Sequence, residues 1–178
     1  MKKLIYLAVL IIFSTCSVAN TQSPYAGQEH RKIKALSQQK ISGYLTGKGL
    51  GYAKAAELNH YPGPKHVLDL AKELELTNEQ VQKSAEAYKL MQEQAVYYGE
   101  KLVTKERELD LEFANSTINE NILESLLSDI AILESKIRYV HLHAHLVQKT
   151  LLNEHQITKY DQLRAYSSGD KQEIKHHH

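Results

Sequence analysis

The second half of the chain carries apolar residues at alternating steps of three and four, the spacing of a long amphipathic helix. Between residues 123 and 151 the spacing continues without a gap, which makes a heptad repeat of the kind that packs helices at a shallow angle. The apolar positions are Leu123, Leu126, Ile130, Leu133, Ile137, Val140, Ala144, Val147 and Leu151. The pattern predicts one helix that ends near residue 150.

A second long helix is predicted before it, from residue 77 to about residue 115. Its apolar positions are less regular: Tyr88, Met91, Ala95, Tyr98, Leu102, Leu109 and Phe113. Glu106 stands where the repeat expects an apolar residue, so we expect it at a solvated edge or paired across an interface. The sequence ANSTIN at 114–119 separates the two helices, with Thr117 or Asn119 as the next N-cap. Two long helices joined by a short loop predict an antiparallel hairpin.

Two capping boxes mark where helices begin. Thr77 and Gln80 in TNEQ have the right spacing for reciprocal side-chain and backbone hydrogen bonds, and Asn153 and Gln156 in NEHQ repeat the arrangement. The second box predicts a last short helix that reaches residue 166. The predicted fold class is all-α: a long antiparallel helical hairpin with short flanking helices. The length and regularity of the apolar repeat also favour packing as a homodimer.

Glycine and proline punctuate residues 20–63, which predicts a flexible segment with short helices near 37–45 and 52–58. Within it, GKGLG resembles a phosphate-binding loop but follows no strand and lacks the required spacing, so we interpret it as a turn. The sequence YPGP at 61–64 ends this segment. Residues 64–166 form the predicted hairpin domain.

The first 19 residues have the pattern of a secretory signal peptide: Lys2 and Lys3, an apolar run, and a small-residue cleavage site at Ala19. The pattern predicts an exported, periplasmic protein. Alternatively, Cys16 could be the acylated residue of a lipoprotein. Loss of Lys2 and Lys3 on cleavage would change the formal net charge from +1 to −1. A near-neutral chain has no basic surface for DNA or RNA, so no nucleic-acid partner is expected.

The C-terminal residues 167–178 are predicted to be a disordered tail. The tail ends in three histidines, His176, His177 and His178. These are either the remnant of a cloning tag or a native metal-catching tail, and they are left out of the site argument.

Three histidines fall within five residues of the second long helix, in RYVHLHAHLV at 138–147. His141 and His145 lie one turn apart on the same ridge, close enough for two imidazoles to share a metal ion. Folding the hairpin would bring Met91 and Glu93 near this pair, and His60 would join if the N-terminal segment folds back. Such a set suits zinc, nickel, cobalt or copper. The alternative is that the histidines are ordinary polar positions.

The sequence contains no catalytic motif. It lacks the two histidines of a zinc-protease helix, and no serine stands in a nucleophile elbow. If cleavage follows Ala19, no cysteine remains for thiol chemistry. We therefore expect a non-catalytic protein.

An ordered set of motifs resembles the Spy/CpxP proteins, which carry paired LTxxQ motifs, and the related periplasmic heavy-metal sensor and resistance proteins. The motifs are LTNEQ at 76–80, LNEHQ at 152–156, ERELDLEF at 106–113, IRYVHLHAHL at 137–146 and the lead-in AAELNHYPGPKHVLDLAKELELT at 55–77. The resemblance covers residues 55–166. In the second LTxxQ copy Asn153 replaces threonine, which preserves the capping role.

The resemblance implies an exported helical protein that acts as an ATP-independent chaperone or as a stress adaptor that restrains a membrane-bound sensor, often as a dimer. The residues expected to contact a client or partner are Tyr97, Tyr98, Lys101, Leu102 and Lys105. The resemblance also implies an alternative, a metal sensor or buffer that uses histidines spaced by four, here His141 and His145. A third possibility is a structural module that binds only a sensor kinase or an anti-sigma partner.

Overall fold

The structure is a computed structural model that describes residues 22–166. The predicted signal peptide at 1–19, with Cys16, and the predicted tail at 167–178 lie outside the described residues. The chain divides into two compact units, Met1–His30 and Arg31–His178. Residues 22–30 of the first unit form turns. Every helix of the described chain belongs to the second unit, and none of these helices is long and apolar enough to cross a membrane.

Six helices and no strand occur within residues 22–166. Two of them are long: α4 spans Asn78–Ala114 and α5 spans Glu120–Leu151. The four short helices are α1 (Gln38–Leu45), α2 (Lys54–Glu57), α3 (Pro64–Asp69) and α6 (Glu154–Leu163). The predicted all-α hairpin is confirmed: α4 and α5 pack along their length, and Asn119 caps α5 through its side chain.

The apolar repeat of α5 forms the inner face of the hairpin. Leu126, Ile130, Ile137, Val140 and Ala144 are all buried, as the heptad spacing predicts. On α4 the agreement ends in the last turn of the helix, where Phe113 is exposed. Glu106 of α4 is partly buried. Its burial, and to a smaller extent the negative charge of Glu134, raises the pKa of its carboxyl group.

Residues 31–63 lie against the hairpin, although their glycines and prolines predict a flexible segment. Ile33, Leu36 and Tyr44 are buried in one core cluster with Leu102 and Ile137 of the hairpin. Ser37 caps α1 by accepting a hydrogen bond from the Lys40 amide. Burial of three large side chains gives this segment a hydrophobic reason to fold onto the hairpin.

The close approach of α1 to α4 depends on Gly99. A Cβ atom built at Gly99 would lie 2.3 Å from the carbonyl oxygen of Tyr44 and 2.8 Å from its carbonyl carbon. Those atoms are backbone and cannot rotate away as a side chain would. A helix-interior glycine ordinarily weakens a helix, so its presence here is explained by the contact with α1.

The two capping-box glutamines join three helix ends. Gln80 Nε2 donates to Gln156 Oε1 at 2.9 Å, and Gln156 Nε2 donates back to Gln80 Oε1 at 3.1 Å. Gln80 also donates to the carbonyl oxygen of Leu151 (2.8 Å), and Gln156 donates to that of Leu74 (3.2 Å). The start of α4 is thereby bonded to the end of α5 and to the start of α6. Both predicted capping boxes are present, one at Thr77 and the other at Asn153.

Replacing the buried Gln156 should lower the free energy of unfolding more than replacing an exposed glutamine does. Gln156→Leu keeps the volume but leaves the Leu74 carbonyl, the Asn153 amide and Gln80 without their partner, so we expect a loss of about 2 kcal/mol in the free energy of unfolding. Urea unfolding followed by circular dichroism measures it. Gln162→Leu, an exposed position in the same helix, is the control and should change stability by less than about 0.5 kcal/mol. Equal losses in the two variants would contradict the role of the glutamine pair.

Candidate functional site

A cavity of about 600 Å³ lies between the N-terminal segment and the hairpin. Its walls come from the turns around α1, α2 and α3, from α4, from the two buried histidines of α5, and from Arg164 just after α6. Gly63 lets the backbone approach one of these histidines, because a Cβ there would lie 2.8 Å from His145 Cε1. The volume falls in the range of small-molecule sites.

His141 is the more deeply buried of the two α5 histidines in this wall. The residue is 5% exposed, and its ring stacks against Tyr52 with the centroids 6.4 Å apart. Its Nε2 atom has no hydrogen-bond partner in the described chain. Burial, followed by the nearby His145, lowers the pKa of His141 to about 4. The imidazole is therefore neutral at pH 7 and has an unused nitrogen.

His145 is held in one orientation by the N-terminal segment. Its Nδ1 lies 2.7 Å from the carbonyl oxygen of Tyr61 and 3.6 Å from Glu57 Oε2. A carbonyl oxygen only accepts, so Nδ1 must carry the proton of this hydrogen bond. In the neutral ring the lone pair is then on Nε2, at the edge of the ring next to Gly63.

Glu57 connects α2 to the residues after α6. Its Oε1 atom accepts hydrogen bonds from the hydroxyl groups of Tyr160 (2.5 Å) and Tyr166 (3.1 Å), and Arg164 Nε lies 3.5 Å away. Burial, followed by the hydrogen bond to Glu57, raises the pKa of the Tyr160 hydroxyl. Arg164 thus balances the charge of the carboxylate, and the two phenol hydroxyls satisfy Oε1 by hydrogen bonds.

The sequence contains no signal that places Tyr160, Arg164 or Tyr166 beside Glu57. Their contact with Glu57 is a long-range one and depends on how the N-terminal segment folds back. Only the structure places them at the site.

The residues predicted to bind a metal do not all meet. Met91, His141 and His145 line the same cavity. Glu93 is exposed and lies 3.9 Å from Lys89, and His60 Nδ1 is 2.7 Å from Asp161 Oδ2, so neither lines the cavity. Within residues 22–166 no group of three or more histidine, cysteine, aspartate or glutamate side chains is close enough to hold a metal ion.

The residues predicted to contact a client divide between surface and core. Tyr97, Lys101 and Lys105 line a groove of about 670 Å³ along the hairpin. Tyr98 packs edge-on against Tyr97 and against the core cluster. Leu102 is fully buried because it occupies a position of the α4 apolar repeat, and it is not available to a partner in this fold.

An uncovered apolar surface runs along the hairpin beside this groove, and we call it the open face. It consists of Leu90, Tyr97 and Leu111 of α4 and of Ile132, Tyr139 and Leu146 of α5, all of which are about half exposed or more. Within each helix these residues are spaced by seven or fourteen positions, so they share one side of the helix. Tyr97 and Ile132 border the same groove, which places the two rows on one face of the hairpin.

Comparison with family models, with curated proteins and with solved structures found no match for this chain. The fold defines a class: an all-α hairpin with residues 31–63 packed against it. Within residues 22–166 two features are candidate binding sites, the cavity at His141 and the open face of the hairpin.

Proposed function

We propose that this is an exported, non-catalytic envelope-stress protein of the Spy/CpxP type, which acts in the periplasm as an ATP-independent chaperone or stress adaptor. The open face is the observation that supports this proposal. Six large apolar side chains, regularly spaced along two packed helices, are each about half exposed or more. They offer unfolded segments of client proteins a place to bury apolar side chains.

Charged groups beside the open face support weak, reversible binding. Lys101 lies over the ring of Tyr97, with Nζ 4.8 Å from the centroid. Lys105 is paired with Glu108 at 2.8 Å and with Asp129 at 3.3 Å. A mixed surface of this kind can contact many unfolded sequences without a fixed complementary shape. In the adaptor form of the proposal, the partner is the exposed part of a membrane-bound sensor.

The test is suppression of client aggregation without ATP and in the presence of a chelator. We expect the wild-type protein to reduce light scattering by a thermally unfolded client at an equimolar ratio. A triple variant of the open face, Tyr97→Ser, Ile132→Ser and Tyr139→Ser, should lose most of this effect because its apolar contact area is removed. Aggregation is measured as light scattering at 360 nm, at protein-to-client ratios that differ by about tenfold.

The matched control replaces three exposed leucines elsewhere: Leu45→Ser, Leu58→Ser and Leu163→Ser. These side chains are also 42–58% exposed but do not belong to the open face. The control should protect the client as well as the wild-type protein does. Equal loss in both triple variants, or no protection by the wild-type protein, would contradict the proposal.

A homodimer is part of the proposal, because a second copy would cover the exposed apolar side chains of the open face. Sedimentation velocity of the wild-type protein and of the open-face triple variant tests it. A wild-type monomer at the concentrations of the aggregation assay would remove the dimer from the proposal without affecting client binding by one copy.

Metal binding is the second candidate, which we propose as the alternative function of a heavy-metal sensor or buffer. It is supported by the unused Nε2 of His141 in a cavity that also contains His145 and Met91. Two imidazoles and a thioether suit copper best, while zinc, nickel and cobalt would rely on the imidazoles.

Calorimetric titration of copper, zinc, nickel and cobalt into protein that ends at Lys175 tests this alternative. We expect sub-micromolar binding that the double variant His141→Ala, His145→Ala abolishes, with its fold checked by circular dichroism. The control, His143→Ala with His155→Ala, changes two exposed histidines and should bind normally. Loss of binding in both pairs, or no binding by the wild-type protein, would contradict a metal function.

A further inference from the structure

The cavity at His141 has an excess of positive charge. Four cationic side chains line it, Lys48, Lys54, Lys65 and Arg164, against the single carboxylate of Glu57. Lys65 is paired with Asp69 at 2.7 Å, and Arg164 lies beside Glu57. Lys48 and Lys54 form no ion pair within residues 22–166, so their two positive charges at the cavity wall are not compensated.

Two of the histidines that line the cavity, His141 and His66, have lowered pKa values. His141 is neutral because burial lowers its pKa to about 4. His66 also lines the cavity, and burial, followed by the charge of Arg164, lowers its pKa. The lysine and arginine side chains of the cavity keep their positive charge across the neutral range.

The rest of the wall is largely apolar and includes one buried polar group that lacks a partner. Leu50, Pro64, Met91 and Ala144 supply apolar surface. His141, 95% buried, contributes the unpartnered Nε2 atom. A buried polar atom without a partner is destabilising, so this nitrogen lowers the stability of the wall that it belongs to.

We infer that this cavity binds a small organic anion with an apolar body, whose carboxylate or sulfonate pairs with Lys48 and Lys54 and whose body packs against the apolar side chains of the wall. The volume of about 600 Å³ suits a molecule of one or two rings. Glu57 does not oppose an anion strongly, because Tyr160, Tyr166 and Arg164 already neutralise it. The site goes beyond the proposed function, since it is separate from the open face and needs neither client nor metal.

Met91 provides a specific reporter. The sequence contains only two methionines, Met1 and Met91, so protein labelled with carbon-13 at the methionine methyl groups has a resonance that belongs to the cavity. We would titrate it with 2-naphthoate and with the neutral, equally shaped 2-naphthamide, both in the presence of EDTA. The expected result is a saturable shift of the Met91 resonance by 2-naphthoate, with the amide binding at least about tenfold more weakly because it lacks the charge.

Substitution of the unpaired lysines tests the anion contact without disturbing the core. The variant Lys48→Gln, Lys54→Gln should weaken 2-naphthoate binding about tenfold and leave the binding of 2-naphthamide unchanged. The control, Lys72→Gln with Lys136→Gln, changes the same net charge at exposed positions outside the cavity. It should bind 2-naphthoate as the wild-type protein does.

Three results would overturn the inference. The Met91 resonance could stay unchanged up to millimolar 2-naphthoate, which would show that the cavity does not take such a ligand. The acid and the amide could bind equally well, which would show an apolar cavity without anion recognition. Both lysine pairs could weaken binding to the same extent, which would show a general effect of net charge. None of these results bears on client binding, so failure here and failure of the proposed function are distinguishable.

Discussion

Gly99→Ala is expected to lower the free energy of unfolding by about 3 kcal/mol, although the same change in most helices stabilises by about 1 kcal/mol. The new methyl group would lie 2.3 Å from the carbonyl oxygen of Tyr44, so α1 must move away from α4. Tyr44 belongs to the core cluster with Leu102 and Ile137, and displacement of α1 would open this cluster.

Hydrogen exchange distinguishes this local effect from general destabilisation. Amides in residues 31–63 should lose protection in Gly99→Ala before those of α4 and α5 do, because the hairpin retains its own packing. Glu100→Ala, at the exposed neighbouring position, is the control for helix propensity and should change stability by less than about 0.5 kcal/mol. A stabilised Gly99→Ala variant would show that the N-terminal segment does not lie against the hairpin.

Acid is expected to destabilise the protein through His141. Its pKa is about 4 in the folded chain and about 6.5 when unfolded, so the folded state favours the neutral ring. The stability that this preference provides is present above pH 6.5 and is lost as the pH falls from 6.5 towards 4. A difference of this size corresponds to a loss of about 3 kcal/mol. Urea unfolding measured from pH 7.5 to pH 4 tests it.

The variant His141→Leu isolates this contribution, because leucine keeps an apolar side chain at the position and cannot be protonated. The fall in stability between pH 6.5 and pH 4 should be smaller in this variant by about the same 3 kcal/mol. Glu106 has the opposite effect on stability: because its pKa is raised in the folded state, its protonation at low pH stabilises the protein. Glu106 is present in both proteins, so its effect cancels in the comparison. His155→Leu, at an exposed position, should retain the wild-type pH dependence. An unchanged pH profile in His141→Leu would contradict the burial of a neutral imidazole.

The hairpin could be predicted because its signals are local. The apolar residues of α5 repeat with the period of a helix. The capping boxes at Thr77 and Asn153 each mark the start of a helix, and each needs only four consecutive residues to be recognised. The apolar repeat of α4 likewise indicates that Leu102 faces α5 and is not a surface contact.

The arrangement of residues 31–63 could not be predicted because it depends on contacts between distant parts of the chain. Glycine and proline indicate turns but do not say what the turns pack against. The absence of a side chain at Gly99 explains how α1 approaches α4 only once Tyr44 is seen opposite. Glu57 likewise accepts hydrogen bonds from Tyr160 and Tyr166, and no spacing in the sequence predicts these contacts.

The most direct test of the proposed function is to ask which surface an unfolded client touches. In a Cys16→Ser background, Ile132→Cys and Leu58→Cys would carry the same environment-sensitive fluorophore. The two side chains have nearly equal exposure, 55% and 58%, but only Ile132 lies on the open face. We predict a blue shift and protection from quenching at residue 132 when a reduced, unfolded client is added, with no change at residue 58. Equal responses at the two positions, or a response at residue 58 alone, would contradict client binding by the open face of the hairpin.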